Sequence, residues 1–257
     1  MVKPPEKRLG QHWLGDRLTL SAIAGSAELT ADDTVLEVGP GQGNLTAELL
    51  KRAGKVVAVE VDKELADDLP RRVPADNLRV VSGNILKFDL TKLPPGYKVV
   101  ANIPYYLTSN LLKNLSESSN PPALMVLLVQ KEVAERIGAG PGQMSLLAVS
   151  VQLYYRPKLG QIVPSKLFTP PPKVDSQVIV LKRRPSPLFE NLNNQTYFRL
   201  VKAGFAGKRK KLRSSLSAGL NISKEQADLL LKKADIDPDL RAQSLSLQDW
   251  HKIYQHM

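Results

Sequence analysis

The chain has 257 residues, room for one large domain or a medium domain with a small appendage. Hydrophobic residues make up 42% and charged residues 24%, so the composition supports a packed core and excludes disorder. The absence of cysteine excludes disulfides, a thiol nucleophile and a Cys-ligated metal, while a formal net charge of +11 points to polyanionic partners.

In chain order, the opening MVKPPEKRLG lacks the apolar core of a signal peptide. No apolar run approaches the ~20 residues of a membrane span, so the expected location is the cytoplasm. Residues 34–38, TVLEV, read as a short buried strand, followed by GPGQG and a helical NLTAELLKRA. KVVAVEVD (55–62), NLRVVSGNI (77–85), KVVANIP (98–104) and ALMVLLVQ (123–130) read as further strands, with helical KELADDLPRRV, SNLLKNLSES and KEVAERIG among them. Continuous apolar strands alternating with helices predict a mostly parallel sheet covered on both faces. SLLAVSVQLYY reads as a helix, and KLGQIVPSKLF and SQVIVLKRR as two strands suited to an antiparallel pair at the sheet edge. RRPSPLF (183–189) is a linker by composition, and FRLVKAGFAGKRKKLRSSLSAGL and KEQADLLLKKADI beyond it are helical. The predicted organisation is an α/β domain over 1–184 and a small all-helical domain over 185–257. Residues 183–257 hold 14 Lys+Arg against 7 Asp+Glu, so the appendage carries most of the excess charge.

Glu37-Val-Gly39-Pro-Gly41-Gln-Gly43 joins the first of these strands to its helix. Glycines there let the backbone turn tightly and approach a ligand at a helix N-terminus. A plain strand-to-helix turn is the bland alternative. The G-x-G-x-G spacing is one residue shorter than a dinucleotide fingerprint and resembles the first motif of class I methyltransferases. Glu60, 21 residues after Gly39, closes the next strand, where an acid can accept hydrogen bonds from both ribose hydroxyls. Taken alone it would read as a solvated carboxylate. Asn84 ends the third strand, with an acceptor and a donor to offer an adenine edge. His12, His251 and His256 are too scattered for a zinc site, and no metal is expected.

Asn102-Ile103-Pro104-Tyr105 follows the fourth strand, on the side of an open α/β sheet where ligands bind. An exocyclic adenine amine is a poor nucleophile because its lone pair is delocalised into the ring. Two acceptors, the Asn102 side-chain carbonyl and the Ile103 backbone carbonyl, would draw it toward tetrahedral geometry. Pro104 would stiffen the turn and Tyr105 would stack the base.

These motifs resemble those of the ribosomal small-subunit RNA adenine dimethyltransferases. The resemblance covers nearly the whole chain, through KRLGQHWL (7–14), EVGPGQGNLT (37–46), GNIL (83–86), ANIPYYLTS (101–109), LVQKEVAERI (128–137), LFTPPPKVDSQVIVL (167–181) and GFAGKRKKLRSSL (204–216). It implies a class I methyltransferase fold of Rossmann-like type and S-adenosylmethionine as cofactor. It also implies dimethylation of two adjacent adenosines near the 3′ end of 16S rRNA, in the immature small ribosomal subunit. Carried over by position, the cofactor contacts are His12, Leu14, Gly39, Glu60, Asn84 and Asn102, with Gln11 opening the segment over the cofactor and Gly41 in the glycine loop. The catalytic set is Asn102, Pro104 and Tyr105, with Phe168 sandwiching the target base opposite Tyr105. Three positions depart from the family pattern: His12 for Asn, Trp13 for Phe and Asn84 for Asp, the last predicting weaker cofactor binding.

Lys208, Arg209, Lys210, Lys211 and Arg213 place five cations in six positions, expected on one helix as an RNA phosphate contact. A solvated helix face is the plainer alternative. Two rival functions share the cofactor loop: a 23S rRNA adenine methyltransferase of the antibiotic-resistance type, and a non-catalytic RNA-binding assembly factor. Nothing in the sequence demands more than a monomer.

Overall fold

The computed structural model describes residues 11–207 and 209–257. It resolves into two compact units: Met1–Glu135 with Tyr155–Arg183, and Arg136–Tyr154 with Arg184–Met257.

The first unit opens with β1 (Trp13–Leu14) and α1 (Arg17–Gly25), the helix capped by the Asp16 carboxylate, which accepts from Thr19 N. Then β2 (Thr34–Val38), α2 (Asn44–Leu50), β3 (Lys55–Glu60), α3 (Lys63–Arg72), β4 (Leu78–Ser82) and β5 (Lys98–Asn102) alternate. They are followed by α4 (Thr108–Glu117), β6 (Leu124–Gln130) and α5 (Lys131–Gly138). After α6 (Leu146–Gln152) come β7 (Tyr155–Val163), β8 (Phe168–Thr169) and β9 (Ser176–Arg183). The main sheet has the order β4-β3-β2-β5-β6-β9-β7. Its pairings from β4 to β6 are parallel, and β9 lies antiparallel between β6 and β7. Val35, Leu36, Val56, Val99, Val100 and Leu127 are buried to 0% exposure, which is why these strands read as unbroken apolar runs. The strand order reverses beside β2, the switch point at which open α/β sheets bind ligands. The expected antiparallel edge pair is β7–β9. Separately, β1 pairs with β8, setting Trp13 against Thr169 and Leu14 against Phe168.

The second unit is helical: α6 joins α7 (Asn194–Phe205), α8 (Leu212–Leu220), α9 (Lys224–Lys233) and α10 (Leu247–Gln255). Here the structure differs from the expected boundary at residue 184. Ala148, Val149 and Leu153 pack with Tyr197, Leu200, Leu216 and Trp250 in one apolar core, so 136–154 belongs with the C-terminal helices. The helix expected to run through 145–155 ends at Gln152, and Tyr155 begins β7. The single long helix expected across the basic run is two helices, because α7 is capped at Ala206 and Lys211 is an extended N-cap to α8. Capping boxes at Ser223 and Ser246 start α9 and α10. Among the described residues no helix is long and apolar enough to cross a membrane.

Candidate active site

A cleft of about 220 Å³ lies at the carboxyl ends of β2, β3, β4 and β5. Ten of the residues singled out from sequence line it: Gln11, His12, Gly39, Gly41, Glu60, Asn84, Asn102, Ile103, Pro104 and Tyr105. The glycine loop forms its floor. Gly39, Gly41 and Gly43 have φ of +66°, +56° and +86°, left-handed conformations that side-chain-bearing residues adopt only under strain. A Cβ on Gly43 would lie 2.7 Å from Leu69 and Val73, so that glycine lets the loop pack on α3 and its flank. A Cβ on Gly39 would meet nothing within 4 Å, leaving room for a ligand against bare backbone.

Glu60 is 3% exposed and braces this loop. Its two carboxylate oxygens accept from Gly41 N and Asp62 N, each at 3.0 Å. Burial raises its pKa and the Asp62 charge adds to the rise, against the pull of backbone hydrogen bonds from Asp62, Gly41 and Val61. The carboxylate still has acceptor capacity for a ribose hydroxyl. Glu37, behind the loop, is 1% exposed, and its Oε2 accepts no hydrogen bond. Burial pushes its carboxyl up to about 8, against the pull of the Thr46 side chain, and the neighbouring Glu60 charge adds to the rise. Asn84 Oδ1 accepts from Leu86 N at 2.9 Å and so caps a short turn, leaving the amide NH2 and one lone pair for a ligand.

The segment at 11–15 is strapped over the loop by contacts distant in sequence. Leu14 O accepts from Asn44 Nδ2 at 2.9 Å, and Gly15 N donates to Leu167 O at 3.4 Å. The Trp13 indole covers Gly41, where an added Cβ would come within 3.1 Å of Nε1. His12 O accepts from Asn102 Nδ2 at 3.1 Å. That bond fixes the Asn102 amide and turns its acceptor Oδ1 away from the strap. Ile103 N donates to Leu128 O at 3.2 Å, which sets the plane of the next peptide. The Tyr105 hydroxyl shares a 3.1 Å hydrogen bond with Ser176 Oγ, and burial raises the pKa of the phenol.

Two expected site residues stand elsewhere. Phe168 is 3% exposed and packs in the core with Leu20, Ile23 and Val178; a ring enclosed there offers no face to a base in this conformation. The Leu14 side chain, 3% exposed, belongs to the same core and does not line the main cleft. Conversely, Trp13, Val61, Ile85, Tyr106 and Asn110 line the cleft without having been singled out for it. Val61 and Tyr106 are 51% and 61% exposed, and apolar or aromatic residues directly after Glu60 and Tyr105 were the only sequence signal for them.

The expected RNA-contacting cations also divide. Lys208 lies outside the described residues. Arg209 and Lys210 are exposed. Lys211 Nζ pairs with Asp239 at 2.7 Å, while Arg213 pairs with Asp239 at 2.8 Å and with Asp228 at 3.6 Å. The last two cations therefore tie the start of α8 to its neighbours inside the helical unit.

A family model for ribosomal RNA adenine dimethylases matches residues 4–257. The chain belongs to the ribosomal RNA adenine dimethylase family. One relative, the ribosomal RNA small subunit methyltransferase A of Dehalococcoides mccartyi, is 43% identical over 251 residues, covering 96% of this chain and 86% of that protein. A crystal structure of a dimethyladenosine transferase from Plasmodium falciparum matches with a TM-score of 0.82 at 29% identity, over 94% of this chain and 96% of that one. The crystal structure of the 23S rRNA methyltransferase ErmE matches with a TM-score of 0.74 at 29% identity, over 95% and 98%.

Enzymes of this family use S-adenosylmethionine, which supplies an electrophilic methyl group on a cationic sulfur. The cleft suits it. Gly39 leaves open space at the loop, Glu60 retains acceptors for a ribose, Asn84 offers a polar edge to an adenine, and Val61 and Ile85 add apolar wall. As an adenine dimethylase, the chain also requires a pair of acceptors for an amine, and the Asn102-Ile103 peptide stands at the same cleft.

Proposed function

We propose that this chain places two methyl groups on the exocyclic amine of each of two adjacent adenosines near the 3′ end of 16S rRNA. It acts as a monomer on the immature small subunit, in the cytoplasm. The observation that carries the reading is the Asn102 amide, held by the His12 carbonyl so that Oδ1 remains to accept from a substrate amine. With the Ile103 carbonyl as second acceptor, the amine lone pair is drawn out of conjugation and exposed to the electrophile. Tyr105, fixed through its hydroxyl by Ser176, supplies a flat face for the base. Family membership and the small-subunit relative support the choice of RNA. Arg209 and Lys210 are the exposed cations available for phosphate contact in the helical unit.

The test is incubation of the purified protein with methyl-labelled S-adenosylmethionine and small subunits from cells lacking the modification. Large-subunit particles serve as control, and products are mapped by mass spectrometry. Dimethyladenosine at two adjacent positions near the 3′ end is the expected result. Label confined to large-subunit RNA would overturn it, and binding without any label would mark a non-catalytic assembly factor.

A further inference from the structure

Away from the cleft, the first unit carries a cluster of cations at one corner of its sheet. A single row of register runs there through Val35, Lys98, Leu124, Lys182 and Arg156, on β2, β5, β6, β9 and β7. Lys98 and Leu124 begin β5 and β6, so the row lies at the amino ends of the parallel strands, opposite the cleft. Lys98 Nζ pairs with Asp33 at 3.1 Å and donates to the Ala27 and Glu28 carbonyls, which ties it to the fold. Leu124 and Val180 are partly buried at the margin of the core that includes α1.

Beyond that margin Arg156, Lys158 and Lys182 are exposed. Arg156 and Lys158 alternate along β7 with the enclosed Tyr155 and share one face of the sheet, and Lys182 stands directly across from Arg156. None of the three makes an ion pair or side-chain hydrogen bond with another described residue. Opposed side chains on antiparallel strands stand about 5 Å apart at Cβ, and Arg156 to Lys158 spans about 6.6 Å along the strand. Both distances fall inside the ~8 Å screening length of physiological salt, so the three charges repel one another and act on a polyanion as one field. Like charges set directly opposite each other weaken a sheet. Lysine can protect an edge strand from pairing with another chain, but β9 lies between β6 and β7, so Lys182 has no edge to protect.

We propose that Arg156, Lys158 and Lys182 form a docking surface for the phosphate backbone of rRNA. The inference rests on the reading of the chain as an rRNA methyltransferase. Neither β7 nor β9 carries an exposed aromatic to stack a base, so the surface holds backbone and reads no sequence. The Arg156 guanidinium can grip a phosphate through two N–H groups, with the two ammoniums as point charges beside it. From Lys98 to Asn102, β5 puts about 13 Å between this row and the cleft, so an RNA that touches both is a folded one.

The test compares the wild type with a triple variant, Arg156→Gln, Lys158→Gln and Lys182→Gln. A second variant, Lys182→Glu, keeps the corner charged and sets an acid opposite Arg156. Binding of 16S rRNA is titrated at several salt concentrations, S-adenosylmethionine Kd is measured by calorimetry, and Tm is recorded. The triple variant should lower the slope of log binding constant against log salt by roughly 2–2.7, so that the wild type loses about 20–40-fold more affinity than the variant between 50 and 200 mM salt. Its cofactor Kd should stay within about twofold, since screening isolates charges beyond the Debye length. Its Tm should hold or rise by up to about 4 °C, because the repulsion is gone. Lys182→Glu should raise Tm and lower the slope together. A slope changed by less than about half a unit in both variants would show cations that meet only solvent, and the proposal would fall; so would a weakened cofactor site with RNA binding intact. If the triple variant self-associates, Lys182→Glu decides alone. Failure of the wild type to methylate subunits would count against the functional reading, while the salt slope would still decide the surface.

Discussion

Replacing Glu37 with Gln isolates the most strongly buried acid beside the cofactor loop. The side chain is 1% exposed, Oε2 has no hydrogen-bond partner, and burial lifts the carboxyl from 4.5 to about 8. The sign follows from proton counts. Between those two values the folded chain holds a proton on Glu37 that the unfolded chain has released. Stability from this group is therefore full below about pH 4.5, declines as pH rises, and is wholly lost above about pH 8. At 1.36 kcal/mol per unit the ceiling on the loss is about 5 kcal/mol. Gln keeps the shape and cannot ionise, so Glu37→Gln removes the dependence. The assay is scanning calorimetry of both proteins from pH 5 to 9, read as the difference in Tm so that groups uncoupled from Glu37 cancel. One kcal/mol shifts Tm by about 2–4 °C at this chain length. The variant should match the wild type within a degree or two near pH 5 and gain on it by several degrees near pH 8.5. A difference that stays flat across the window would show that Glu37 is already ionised at pH 5, and the burial argument would fail.

Asn84→Asp keeps the cap on Leu86 with one oxygen and offers the other as a charged acceptor, so the S-adenosylmethionine Kd in calorimetry should fall by about tenfold. Gly39→Ala forces a side chain into a left-handed backbone and projects a methyl into the open cleft; cofactor Kd should rise at least tenfold, with Tm lowered by only a few degrees. Arg209→Ala with Lys210→Ala should reduce the slope of log binding constant for rRNA against log salt by roughly 1.5–2. Lys211→Ala with Arg213→Ala, which breaks the Asp239 and Asp228 pairs, should lower Tm and move the slope less; equal slopes for the two pairs would refute the division of roles.

Much of this protein is decided within short stretches of sequence. Alternating apolar strands and helices are enough for a parallel sheet, because the patterns of strand and helix are local. Gly39, Gly41 and Gly43 announce a left-handed loop because glycine alone takes that backbone without strain. Glu60, Asn84 and Asn102 follow from their places at strand ends, where a parallel sheet gathers them at one edge. Tertiary structure decided the rest, since it turns on partners far apart in the chain. Pro170 holds His12 across 158 residues, and Ser176 holds Tyr105 across 71. Those contacts put His12 beside Tyr105, while packing against β1 and the core encloses Phe168, a ring that the family resemblance assigns to the base. Likewise, the apolar face of α6 joins the helical core because Tyr197, Leu200 and Trp250 meet it there. Lys211 and Arg213 are drawn to Asp239, a pairing that the spacing of five cations does not reveal.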